Sequence, residues 1–198
     1  MEKNIYELVS LAFSAPFIGL YSFTRVAISD ETDIVSWLAG LIGIVIVPLF
    51  VPSIYAWRKG FAWDFPDRKT RTMPFAIVVL GYLLTTIFYL YNGIFSLLYI
   101  ALAYLLNGIA SLIINFKTKI SLHTLGICGP ATALLLLGFI YDSIALYALS
   151  TVVALSRYKL GRHTIRQLLL GCIVGVVTTA LSYYMALVTV GDWAGSIS

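Results

Sequence analysis

Long apolar runs, joined by connections too short to hold a soluble domain, constrain this chain more than any other feature. An α-helix needs roughly 20 residues to cross a bilayer. Seven runs of about that length can be read, near 5–25, 34–56, 74–92, 94–115, 122–138, 140–156 and 165–190. Composition agrees: charged residues make up 11% of the chain and mean hydropathy is +0.94, whereas soluble domains carry about 25% charge. A soluble globular fold is thereby excluded. The expected fold is all-α, a polytopic transmembrane helical bundle of about seven spans, forming a single integral membrane domain over residues 1–198.

Local punctuation refines that outline. Asn92-Gly93 and Gly138 mark tight helical hairpins between the third and fourth and between the fifth and sixth runs. The first run holds Glu7, is followed by Arg25 and lacks an Ala-x-Ala cleavage pattern, so it reads as a retained span. Gly126, Gly129, Gly171 and Gly175 have the small-residue spacing of close helix packing. Cys128 and Cys172 read as small core residues, and no zinc, iron–sulfur or Walker-type phosphate-loop pattern is present. No cofactor and no nucleic-acid partner is expected.

Chemistry is confined to three short basic stretches. The first is Asp67-Arg68-Lys69-Thr70-Arg71-Thr72-Met73-Pro74, the second Lys119-Ile120-Ser121-Leu122-His123, and the third runs from Ser156 through Arg157 to His163. The chain has 2 histidines, and they belong to the second and third stretches. With seven spans, the stretches follow spans two, four and six, so all three reach the same membrane face. That face would hold every Lys and Arg except Arg25. Basic residues near short loops mark the cytoplasmic side, which predicts a cytoplasmic N-terminus and site and a C-terminus across the cell membrane.

These residues resemble the three motifs of the type 2 phosphatidic acid phosphatase and vanadium haloperoxidase superfamily, in its membrane lipid-phosphatase branch. Its patterns are Lys-x6-Arg-Pro, Pro-Ser-Gly-His and Ser-Arg-x5-His-x3-Asp. Ser156, Arg157 and His163 match the third at identical spacing. Ser121 and His123 match the second, with Ile120 and Leu122 in place of Pro and Gly. In the first, Arg71 stands three residues before Pro74 instead of one, and no Lys lies seven residues ahead of it. The resemblance covers about residues 64–175.

It implies His163 as the nucleophile at phosphorus and His123 as the general acid. Arg157 and Ser121 would bind phosphate oxygens, with Arg68, Lys69 or Arg71 in an equivalent role and Lys119 standing in for the missing lysine. This division suits phosphoryl transfer, which needs positioning and charge stabilisation more than covalent help. Arg gives bidentate contacts to equatorial oxygens, and a second histidine exchanges a proton near neutral pH. The family's aspartate is replaced by Gln167, one helical turn after His163. Gln167 can orient the imidazole through its amide oxygen but brings no negative charge; Asp64 and Asp67 lie on the site's side of the membrane, and Asp142 on the other.

The resulting expectation is a metal-independent lipid phosphatase, removing a phosphate from a lipid or polyprenyl monophosphate or diphosphate through a phosphohistidine. Two other readings stay open: a lipid-phosphate-binding or transport relative without turnover, and a lipid phosphotransferase. Besides that substrate, the expected partners are the membrane lipids.

Overall fold

A computed structural model describes the backbone of residues 2–60, 65 and 68–197, and the side chains of residues 4–60, 65 and 69–188. The described backbone is mostly helical, with turns between the helices and no strands among the described residues. In chain order it forms α1 (Glu2–Ala12), α2 (Ala15–Ser29), α3 (Ile34–Gly40), a π-helical turn (Leu41–Ile46) and α4 (Val47–Arg58). Then follow α5 (Arg68–Tyr91), α6 (Phe95–Asn115), α7 (Leu122–Leu136), α8 (Ile140–Lys159) and α9 (Ile165–Ile197).

Five stretches among the described residues are long and apolar enough to cross a membrane: Asn4–Ser29, Ile34–Arg58, Lys69–Tyr91, Phe95–Asn115 and Ile165–Val188. The α7 helix is apolar but has only 15 residues. The 20-residue α8 carries Asp142 in its first turn and Arg157 and Lys159 in its last. The protein is thus an all-α helical bundle with the apolar helices of an integral membrane protein.

Two runs are less regular than their composition predicts. The first is broken into α1 and α2 at Phe13-Ser14, because Pro16 has no N–H to donate back to the Ala12 carbonyl of α1 and its ring would clash with that carbonyl in a continuous helix. Ser14 starts the second helix instead, its carbonyl accepting from Phe17 and Ile18 at 3.0 and 3.2 Å. The second run passes through the π-turn just before Pro48. There Gly43 lies so close to α5 that a Cβ would collide with the Thr85 hydroxyl.

The hairpin turns fall where expected, with Gly93 at φ 66° and Gly138 at φ 87°. Both are left-handed conformations that favour glycine.

At the centre lies α7, packed against α9, α8, α2 and α6. Every residue from Thr124 to Leu134 is buried, as befits a helix that is apolar all round. Glycine makes this possible. A Cβ on Gly175 would stand 3.0 Å from both the Gly129 nitrogen and the Leu125 oxygen, and one on Gly126 would run into Ala15 of α2. Cys128 and Cys172, read from sequence as separate core positions, face each other across α7 and α9 as free thiols with Sγ–Sγ 2.7 Å.

Candidate functional site

The end of α6, the start of α7, the end of α8 and the α8–α9 turn meet the first turn of α5 at one end of the bundle. Between them lies a cavity of about 240 Å³ lined by Arg71, Lys119, His123, Arg157 and His163. It continues along α5 past Phe75, Val78, Val79 and Tyr82, and along α6 past Ser111, Gly108, Asn107 and Tyr104. From Arg71 to Tyr82 is three helical turns, about 16 Å at 1.5 Å per residue. The cavity is therefore cationic at one end and mostly apolar in its depth. No carboxylate lines it among the described residues.

His163 follows the left-handed Gly161 (φ 67°) in the α8–α9 turn and is 7% exposed. Its Nδ1 lies 3.1 Å from Gln167 Oε1, which also accepts from the Thr164 backbone N–H at 3.2 Å. The Thr164 N–H can only donate, so the Gln167 atom facing both groups is its acceptor oxygen. His163 must then carry its proton on Nδ1, leaving the Nε2 lone pair available. Burial pushes the imidazole down to about 4; the Gln167 bond opposes this, and the positive charges of Arg157, Lys119 and Arg71 add to it. At neutral pH His163 is uncharged. On its outer side it also lines a shallow open recess with Lys119, Arg162, Arg166 and Gln167.

Arg157 and Arg71 are both 5% exposed, and each is held by a residue that sequence reasoning missed. Arg157 Nη1 donates to Ser10 Oγ of α1 at 2.9 Å, and the same hydroxyl lies 3.3 Å from His123 Nε2. Arg71 Nε donates to Asn115 Oδ1 at 2.6 Å, while Asn115 Nδ2 donates to Thr72 Oγ1 at 3.1 Å. Asn115 did leave a signal in the sequence, since a polar amide closing an apolar run is costly unless partnered. Ser10 left little, because one serine in an apolar helix has many ordinary explanations.

Ser121 is turned to another task. Its side chain is fully buried, caps α7 by accepting from the Thr124 N–H at 3.4 Å, and is not among the cavity-lining residues. A helix start needs such a cap, and this one anchors the segment that carries His123. The side chain of Arg68, and Asp64 and Asp67 altogether, lie outside the described residues. Asp142 sits at the other end of α8, with Arg25 at 3.5 Å and the Tyr21 hydroxyl also bonded to it. Fifteen residues of helix, about 22 Å, separate it from Arg157.

No family model, curated protein or solved structure matches this chain.

Proposed function

We propose that the protein is an integral membrane lipid phosphatase, acting on a lipid or polyprenyl monophosphate or diphosphate through a phosphohistidine at His163. One observation carries the reading: a buried, neutral imidazole with a free Nε2 lone pair shares a cavity with Arg71, Lys119, Arg157 and a second histidine. In the first step Nε2 attacks phosphorus, the bond from phosphorus to the lipid oxygen breaks, and that oxygen takes a proton from His123. In the second, water attacks the phosphorus held on the His163 ring and gives its proton to His123. The P–N bond breaks, the lone pair returns to Nε2, and orthophosphate leaves.

Arg71, Arg157 and Lys119 stabilise the charge spread over the equatorial oxygens. The open recess beside His163 gives water a path to the intermediate. The apolar depth of the cavity suits the start of a greasy tail, and its cationic end suits the headgroup.

The site faces the cytoplasm in this reading, because Lys and Arg crowd its side of the bundle. Labelling single cysteines at positions 3 and 196 with an impermeant reagent, in a background without Cys128 and Cys172, tests the topology. Opposite faces are expected, with position 3 inside.

The test of function is phosphate release in detergent from prenyl and glycerolipid phosphates, for wild type beside His163→Ala. Release by wild type alone is expected. Equal release by the variant would overturn the nucleophile, and no release by wild type would overturn the phosphatase reading in favour of a lipid-phosphate binder.

A further inference from the structure

Two thiols meet inside the bundle, and neither lines the cationic cavity. The helices that carry them, α7 and α9, run side by side from the site's end in a single register. The Ser121 N–H donates to the Gln167 carbonyl at 3.3 Å, and the Thr124 hydroxyl donates to the Leu168 carbonyl at 3.0 Å. One turn further on, Cys128 faces Cys172 with Sγ–Sγ 2.7 Å, at the same separation of 44 residues as Thr124 and Leu168. Next to the thiols the two backbones approach closely, since a Cβ on Gly175 would lie 3.0 Å from the Gly129 nitrogen. The thiols thus occupy a rigid helix–helix contact.

We propose that Cys128 and Cys172 are a reversible dithiol–disulfide site, oxidised by hydroperoxides dissolved in the bilayer, that locks the register of α7 against α9.

Exposure divides the work between the sulfurs. Cys128 is fully buried, whereas Cys172 is half-buried beside Leu169 and Ile173, which are 58% and 59% exposed on an apolar helix. A reagent therefore reaches Cys172 first, and from the lipid side. Cys172 Sγ attacks the outer peroxide oxygen; the O–O bond breaks, an alcohol leaves with the thiol proton, and a sulfenic acid remains. Cys128 Sγ then attacks the Cys172 sulfur. The S–O bond breaks, water leaves with the Cys128 proton, and the S–S bond forms, the sulfurs moving by less than about 1 Å. A small dithiol reverses the change by taking the sulfur–sulfur bond into its own cyclic disulfide.

The bond would act close to the cavity without entering it. His123 lies five residues before Cys128, and Gln167, the partner of His163, five residues before Cys172. Oxidation would join these two helices covalently where hydrogen bonds already pair their first turns, and would confine the chain between them in the unfolded state.

The full-length protein in detergent, treated with cumene hydroperoxide, tests this without any assay of turnover. Intact mass should fall by two hydrogen atoms, and trypsin should release peptide 120–157 bound to peptide 167–198. Dithiothreitol should undo both changes. Oxidation should also raise Tm by about 5 °C or more, as expected for a loop of this length. Dimedone, which captures sulfenic acids, reads the order of events: Cys128→Ala should be labelled at Cys172, and Cys172→Ala should stay unlabelled. Wild type that gains oxygen atoms without the linked peptides would overturn the site. An unchanged Tm after complete oxidation would overturn the lock, and labelling of Cys172→Ala in place of Cys128→Ala would overturn the assignment of the attacking sulfur.

Discussion

Gln167 Oε1 bridges His163 Nδ1 and the Thr164 backbone N–H, at 3.1 and 3.2 Å. The amide oxygen does the geometric half of an aspartate's work, fixing the ring and its tautomer, without the electrostatic half. Gln167→Leu should therefore cost turnover about 100-fold or more, since the wrong tautomer in a serine-protease triad costs about four orders of magnitude. Gln167→Glu should retain the orientation, supply the missing charge and raise kcat. Single-turnover and steady-state rates of the two variants check both statements.

Stability should depend on pH through His163. Its folded-state pKa, about 4, lies below the roughly 6.5 of an unfolded histidine. As pH falls through 6.5 the unfolded chain takes up a proton that the folded chain refuses, so stability is lost between about pH 6.5 and 4 and levels off below. His163→Gln should flatten that part of the profile. Thermal unfolding in detergent across this range is the measurement.

Binding and turnover should separate by residue. His163→Ala removes the proposed nucleophile but leaves Arg71 and Arg157 in place, so turnover should vanish while lipid phosphate should still bind. Arg157→Ala should damage both, because it removes a proposed phosphate contact and releases Ser10. Equilibrium binding of a radiolabelled prenyl phosphate beside phosphate release distinguishes the two, and loss of binding in His163→Ala would contradict the assignment.

The proposed neutralisation of phosphate charge by Lys and Arg has a consequence for inhibitors. Hydrolysis should persist in chelator and be blocked by vanadate, which imitates five-coordinate phosphorus. A strict requirement for magnesium would point to carboxylate–metal chemistry.

Gly175→Val should destabilise the bundle by about 1–3 kcal/mol, the usual cost of overpacking. The atoms that a Cβ would meet at 3.0 Å are backbone atoms of α7 and cannot swing aside. A lower Tm in detergent, with residual activity retained below the transition, is the expected result.

Much of this was legible in the sequence because its signals are local. Apolar runs announced the helices, Gly93 and Gly138 the hairpins, and the spacing from Arg157 to His163 and Gln167 the reach of one turn. The unseen parts depend on chain segments far apart. Ser10 gains its meaning from Arg157 and His123, Asn115 from Arg71 on another helix, and the cysteine pair from the register of α7 against α9. The capping role of Ser121 was hidden for a different reason: a serine before a histidine can face a ligand or cap the helix that follows, and only backbone geometry shows the cap. Pro16 did mark the break in the first run, but continuous hydrophobicity across it masked the signal.

The bond between Ser10 and Arg157 also orders events during biosynthesis. The helix bearing Ser10 leaves the ribosome before the groups it holds, which belong to α7 and α8. Until α7 and α8 are made, its serine lacks both of these partners. The cavity can close at this end only when the hairpin of α7 and α8 has been made and has returned to α1. A nascent chain halted before α8 would hold Ser10 and its cavity-lining neighbours Ser14, Ala15 and Pro16, but neither Arg157 nor His163, which complete the lining.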